Sequence, residues 1–285
     1  MAETMHPERR GTPLPETFRF SQHSLQDYVD CARRFQLRYV LMQPWPALIT
    51  GSPLAYERHL QRSADFHRLA HQHTLGLDPA LLASTIEDPE LAGWWQTYVD
   101  HPPSDLPAGL RRAEVLLTAP LAGYRLVAKF DLLAAEPGRR LVIVDWKGTV
   151  KLPSRAAMAR RLQTQVYRYL AVEAGSAFFD GKAPAPEQVE MVYWYAAHGG
   201  ATIKFPYDER EHRQAASRLA RLVDDIVARR APIWPLADDL RLCRFCNYCS
   251  LCERNVRPGF LDELEDDLEL VEVAIDLEQV AEVEF

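Results

Sequence analysis

LVIVDWK, from Leu141 to Lys147, is a short apolar run closed by an acid, one spacer and a lysine. Read as a strand, its side chains alternate between faces, so Asp145 and Lys147 emerge on one side and Trp146 on the other. A carboxylate then stands beside an ammonium at a strand end. Upstream, Tyr124, Leu126, Val127 and Phe130 form a second strand-like run leading to Asp131. The connection from Leu132 to Arg140 contains Pro137 and Gly138, a turn signal that would set the two strands side by side. Two hairpin-linked carboxylates and a lysine can build a divalent-metal hydrolysis site. Carboxylates hold a hard cation such as Mg2+, while the lysine orients or helps deprotonate the attacking water and offsets charge developing on a phosphate. Taken alone, Asp145-x-Lys147 is no more than a solvated strand-end ion pair, so the reading turns on what else the chain carries.

Glu114 lies on an earlier strand-like run, AEVLLTAPL, and Gln163 and Tyr167 stand four apart on the helical run after Lys147, hence on one helix face. In this order Glu114, Asp131, Asp145-x-Lys147 and Gln163-xxx-Tyr167 resemble the active-site series of PD-(D/E)XK nucleases of the RecB type. FSQHSLQDYVDCARRFQLRYV, from Phe20, is similar to that family's opening helix, S-x-S-x-L-x-x-Y-x-x-C-P-x-x-F. Ser24, Leu25, Tyr28, Cys31 and Phe35 match in kind, and Ala32 stands where proline is usual. The family's G-xxx-H segment has its nearest counterpart in SADFH, where Ser63 replaces the glycine and His67 takes the histidine position.

The resemblance implies an α/β restriction-endonuclease-like core, a mixed central sheet flanked by helices, with an N-terminal helical region and a C-terminal cysteine segment. It implies Asp131 and Asp145, with Glu114, His67 and the Trp146 carbonyl, as the holders of Mg2+ or Mn2+. Lys147 would position or activate water, Gln163 would orient that water or Lys147, and Tyr167 would touch backbone phosphate. The implied activity is metal-dependent DNA hydrolysis, exonucleolytic on DNA ends or single strands, in repair, recombination or anti-phage CRISPR processes with a helicase or CRISPR-type partner. The alternative is a non-catalytic DNA-binding subunit of a helicase-nuclease assembly, against which intact Asp131, Asp145 and Lys147 argue. An RNA or nucleotide substrate would suit the same chemistry.

Five cysteines occur: Cys31 alone, then Cys243, Cys246, Cys249 and Cys252 in CRFCNYCSLC. Such density without a secretory signal points to metal or cluster ligation rather than disulfides. Zinc on the four terminal cysteines would be unusual, because S4 zinc sites are commonly two C-xx-C knuckles with a longer segment between them. A bacterial ferredoxin run needs a longer last gap followed by proline, and here Glu253 follows Cys252. In iron-sulfur members of the resembled superfamily, such as AddB and the CRISPR-associated exonucleases, a 4Fe-4S cluster is held by one early cysteine and a later C-xx-C-xxxxx-C. The resemblance thus implies Cys31, Cys243, Cys246 and Cys252 as ligands, with Cys249 a spare thiol.

The net charge of -7 taken whole disfavours a nucleic-acid enzyme, but the sum hides an asymmetry. Residues 258–285 carry eleven acids and no Lys or Arg; setting those acids aside leaves 33 basic against 29 acidic residues, a body of +4. Lys151, Arg155, Arg160, Arg161 and Arg168 follow Lys147, and Arg33, Arg34 and Arg38 flank Cys31. Basic clusters attract phosphates, so Lys151, Arg155 and Arg161 are candidate nucleic-acid contacts. No apolar run reaches membrane-spanning length and the first residues lack a signal-peptide core, so a cytoplasmic protein without a membrane partner is expected.

The expected layout is a loose N terminus over residues 1–18, a nuclease domain over 19–257 and an acidic tail over 258–285. Helices are expected from Ser21 to about Met42 and Pro53 to His73, near Pro79 to Ser84 and Pro89 to Val99, and over Ser154 to Ala174 and Asp208 to Arg229. The second to fourth fall in a helical insertion over about 52–100. Strands are expected at Ala113 to Ala119, Tyr124 to Leu133, Leu141 to Trp146, Glu187 to Ala196 and Thr202 to Phe205, with Gly199 and Gly200 in a turn. His67 and His71 could face one way on a helix, but no third ligand lies at zincin spacing. Trp94, Trp95 and Tyr98 read as core aromatics more readily than as base-stacking ones.

Overall fold

The computed structural model describes residues 14–44 and 53–259, so residues 1–13 of the expected loose N terminus and nearly all of the acidic tail lie outside the described residues. A mixed sheet occupies the centre. It is built from β1 (Arg19–Phe20), β2 (Leu110–Leu121), β3 (Tyr124–Glu136), β4 (Arg140–Lys147), β5 (Val189–Tyr195) and β6 (Ala201–Pro206). The long β2–β3 hairpin is antiparallel, β3 pairs antiparallel with β4, and β5 pairs antiparallel with β6. Among the described residues, only β1–β3 and β4–β5 are parallel. A parallel neighbour needs a crossover, and the β4–β5 connection supplies one through α6 (Arg155–Arg160) and α7 (Leu162–Ala174).

The period-two pattern of the central strands explains why the sheet is covered on both faces. Leu141 and Ile143 of β4, with Val189, Met191, Tyr193 and Tyr195 of β5, pack toward α7, α1 (Gln22–Asp30) and α8 (Glu209–Ala228). Val142, Val144 and Trp146, with Val192 and Trp194, pack the other way among Phe66, Trp94, Trp95 and Tyr98. Those aromatics come from α3 (Pro53–Thr74) and α5 (Pro89–Asp100), joined by the short α4 (Pro79–Ala83). Trp194 stacks on Phe66 with ring centroids 5.7 Å apart, and Trp94, Trp95 and Tyr98 are all buried. These aromatics therefore belong to the core, as their helical spacing suggests.

Strand and helix expectations hold to within a few residues at most ends, with two corrections. The helix expected from Ser21 to Met42 starts on a Ser21–Ser24 capping box but stops at Asp30. Cys31 is extended (φ -160°, ψ 106°), and the chain continues as α2 (Ala32–Phe35) and a π-turn, Gln36–Val40. The break follows from long-range partners: the Arg33 N–H donates to the Pro235 carbonyl at 2.9 Å, and the Gln36 amide bridges Pro232 and Trp234. Similarly, the helix expected over Ser154 to Ala174 breaks at Arg161, which is extended and buried. The N–H of Leu162 is instead bound by Gln26.

Gly148, directly after the catalytic-looking lysine, lies against the buried Trp94 ring: an added Cβ would come within 2.5 Å of it. Because Trp94 is itself wedged beside Phe66 and His59, it has little room to yield. Gly148→Ala is therefore expected to lower stability by about 1–3 kcal/mol, the usual cost of overpacking. Urea unfolding followed by tryptophan fluorescence would measure it, and an unchanged midpoint would contradict this packing account.

Candidate active site

Strand register places three acids in a row. Ala113↔Leu132 and Val115↔Phe130 bracket Glu114 and Asp131, which face each other between them. On the other side of β3, Leu132↔Val144 is the last rung, and one further step sets Asp131 opposite Asp145. Asp145 in turn pairs with Tyr193 on β5. Glu114, Asp131 and Asp145 thus lie across three neighbouring strands, which sheets space about 4.8 Å apart.

The sheet is deformed where this row crosses it. Glu114 has φ +57°, a left-handed conformation that costs an L-residue about 1–2 kcal/mol. Side-chain alternation also slips here. In β3, Phe130 and Leu133 join the same core although three apart, while Leu132 joins the opposite one. In β2, Leu110 and Val115 share a face in the same off-beat way. Strain of this kind concentrates at functional sites.

The Trp146 N–H donates to Asp131 Oδ2 at 2.8 Å. From α3, His67 reaches the same place, with Nδ1 3.2 Å from Asp131 Oδ1 and Nε2 3.2 Å from the Trp146 carbonyl. Both ring nitrogens face oxygen acceptors, yet a neutral imidazole has a single N–H. A protonated ring or a neighbouring cation resolves that conflict. Burial works against the Asp131 charge, but His67, the Trp146 N–H and Lys147 outweigh it and hold its carboxyl below the usual range. His67, Glu114 and Asp131 bring ligand atoms within 4.8 Å of one another, and two carboxylates with one imidazole suit a divalent ion such as Mg2+ or Mn2+.

Asp145 and Lys147, both buried, stand on the α7 side. Lys147 Nζ lies 3.0 Å from Asp145 Oδ2 and 5.5 Å from the Tyr193 ring, and Gln163 Nε2 donates to Asp145 Oδ1 at 2.8 Å. Among the described residues Gln163 Oε1 is buried without a hydrogen-bond partner. Tyr167 is also buried. Its hydroxyl donates to the Lys129 carbonyl at 2.8 Å and accepts from Gln22 at 3.2 Å, an internal brace between α7, β3 and α1. Burial, then the charges of Asp145 and Asp131, push that phenol well above its ordinary value. Of the three candidate nucleic-acid contacts, Lys151 is exposed after β4, Arg155 lies over the Phe205 ring at 4.8 Å, and Arg161 is buried at the α6–α7 break.

One participant is not evident from the motifs. Lys129, on β3, forms an ion pair with Glu114. Its position two residues before Asp131 is the signal that points to it.

A family model for the PD-(D/E)XK nuclease superfamily matches residues 19–253. The chain belongs to that superfamily. Its mixed sheet between helical layers is the fold that the motifs imply. No curated protein matches the sequence. Among solved structures, the chain is similar to a candidate exonuclease from Eubacterium rectale, at 10% identity over 83% of this chain and 87% of that one with a TM-score of 0.48. It is also similar to SSO0001, at 12% identity over 84% and 87% with a TM-score of 0.37. Among the described residues no helix is long and apolar enough to cross a membrane.

The cysteine segment folds back on the first helices. Besides the Arg33–Pro235 bond, the Tyr248 hydroxyl donates to the Gln43 carbonyl at 3.2 Å, and Trp234 stacks on Phe35 at 5.7 Å. All five cysteines are free thiols of intermediate exposure; Cys31 lies within electrostatic reach of Cys243, Cys246 and Cys252, and Cys249 within reach of Cys243 and Cys252. Burial pushes the Cys246 thiol up to about 11 despite the nearby Arg34 guanidinium.

The conformation of Glu114 gives a sharp test. Ala and Gly both remove the carboxylate, and in an ordinary strand Gly would be the less stable by about 0.5–1 kcal/mol. At a left-handed position the order reverses, so Glu114→Gly is expected to exceed Glu114→Ala by about 1 kcal/mol in denaturant unfolding. Both should weaken Mn2+ binding by similar factors in calorimetric titration.

Proposed function

We propose that this member of the superfamily is a metal-dependent deoxyribonuclease of the RecB type, acting as an exonuclease on DNA ends or single strands. The observation that carries the reading is the cross-strand row of Glu114, Asp131 and Asp145, with Lys147 and Gln163 turned onto its last member. His67, Glu114, Asp131 and Asp145 would hold Mg2+ or Mn2+, which when bound supplies Lewis-acid activation of water and charge neutralisation at the phosphate. Lys147 Nζ positions the attacking water and meets charge developing on the phosphodiester. Gln163 holds Asp145 by its amide N–H, and its Oε1 is an acceptor suited to orienting that water. Tyr167 fixes the β3 backbone just before Asp131. Lys151 and Arg155 are the exposed contacts proposed for DNA, and Arg161 shapes the start of α7.

We assign the iron-sulfur branch on the cysteine arrangement. One early cysteine with a later C-xx-C-xxxxx-C is the set that the resemblance gives to a 4Fe-4S cubane, here Cys31, Cys243, Cys246 and Cys252 with Cys249 outside it. Two C-xx-C pairs separated by only two residues lack the usual spacing of an S4 zinc site. It would staple the break after α1 to the C-terminal segment of a nuclease domain spanning residues 19–257, with a helical insertion over about 52–100. DNA repair, recombination or anti-phage defence beside a helicase or CRISPR-type partner is the setting proposed for such an enzyme.

Lys147→Ala and Asp145→Ala should each lower Mg2+- or Mn2+-dependent DNA cleavage by about a thousandfold or more while leaving most DNA binding, since each removes charge stabilisation at the reacting phosphate. Linear, end-blocked and circular substrates read the mode: an exonuclease spares the last two. Full activity in both variants would remove this site from consideration.

Protein purified without oxygen should be brown and carry about four irons per chain. Serine at Cys31, Cys243, Cys246 or Cys252 should lose colour and stability together, whereas Cys249→Ser keeps both. A colourless protein holding one tight zinc would overturn the assignment.

A further inference from the structure

Resting on the nuclease reading above, we infer that the outer face of α8 is a track for the phosphate backbone of the substrate strand as it approaches Asp145 and Lys147. Helix α8 buries Ala215, Leu219, Val223 and Ile226 against the body. On its outer side Arg210, Arg213, Gln214, Ser217, Arg218 and Arg221 line an open groove of about 510 Å³ with no acid among them. Arg210 and Arg221 have no ion pair among the described residues, and Arg213 has only Glu209 at 3.6 Å, an exposed pair worth little. Four arginines set along one helix face repel one another, so an anionic occupant recovers energy that the free protein forgoes.

Hydrogen bonds link the groove to the amino end of α7. Arg218 Nη1 donates to Gln165 Oε1 at 3.0 Å, and Gln165 Nε2 reaches the carbonyls of Arg160 and Arg161 at the start of α7. Two residues before Gln165, Gln163 holds Asp145. A strand lying on the arginines would thus pass the amino end of α7, where Arg160 is exposed, on its way to the carboxylates. From Arg210 to Arg221 the helix rises about 16 Å at 1.5 Å per residue. At 3.4 Å per nucleotide, that matches about five phosphates of a stacked strand. Guanidinium groups at helical spacing, with no aromatic residue among the lining side chains, recognise phosphate rather than base, so the track should be indifferent to sequence.

The test replaces Arg210, Arg213 and Arg221 together by Gln in the full chain. Arg218 is kept because it holds Gln165, and all three changed residues are exposed. Anisotropy with a long labelled single strand in EDTA, over a salt series, should show binding weakened at least about tenfold at low salt. The slope of log K against log salt should shrink by about two, at about 0.7 for each lost phosphate contact. Arg→Lys at the same three positions should keep most of the affinity, and Mn2+-dependent cleavage of an oligonucleotide too short to reach α8 should be unchanged. Equal affinity and equal slope for the Gln variant and the wild type overturn the inference. If these arginines matter only after residues 260–285 are removed, the chain's own acidic tail is the occupant, and the inference is equally overturned. Failure of the nuclease reading looks different, because the wild type would then cleave neither substrate.

Discussion

Like charges in a row are the constraint that organises this molecule. Glu114, Asp131 and Asp145 occupy one line across three strands, where like charges repel. Each is instead given its own counter-group: Lys129 for Glu114, His67 and the Trp146 N–H for Asp131, Lys147 and Gln163 for Asp145. These partners come from α3, β3, β4 and α7, so both helical layers that the cores hold on the sheet contribute to the site. The Glu114 backbone strain and the slip in alternation are local costs of turning two side chains toward the same rim.

The brace beneath the row is as informative as the row. Tyr167 ties β3 to α1 through Lys129 and Gln22, and the break at Arg161 resets α7 so that Gln163 and Tyr167 both face the sheet. A single straight helix from Ser154 to Ala174 would have passed Arg161 without re-aiming. Thr164 completes the corner by bonding the Met158 carbonyl and the Tyr193 hydroxyl.

Much of this architecture is legible in the amino-acid order alone. Alternation in LVIVDWK tells which side Asp145 and Lys147 take, and the i, i+4 spacing of Gln163 and Tyr167 tells that they share a face, because both periods are local properties of the backbone. The features that escape such a reading depend on distant partners. The breaks at Cys31 and Arg161 answer to Pro235 and Gln26, the Lys129–Glu114 pair depends on a deformed rung, and Arg161 reads as a surface cation until burial withdraws it. Glutamate is also a poor advertisement for a left-handed backbone, which glycine would have announced.

The return of the C-terminal segment to the first helices has a consequence for biosynthesis. The Gln36 side chain waits for Pro232, 196 residues downstream, and Phe35 waits for the ring of Trp234. At about 5–20 residues per second, this interval lasts about 10–40 s. Throughout it, the early aromatic hook stands uncapped on the growing polypeptide, while the sheet bearing the acids is completed ahead of it. Emergence from the ribosome of the segment that carries Pro232 and Trp234 is therefore the step that closes the molecule, and an interruption just before it would yield a chain with its carboxylates in place but its hook open.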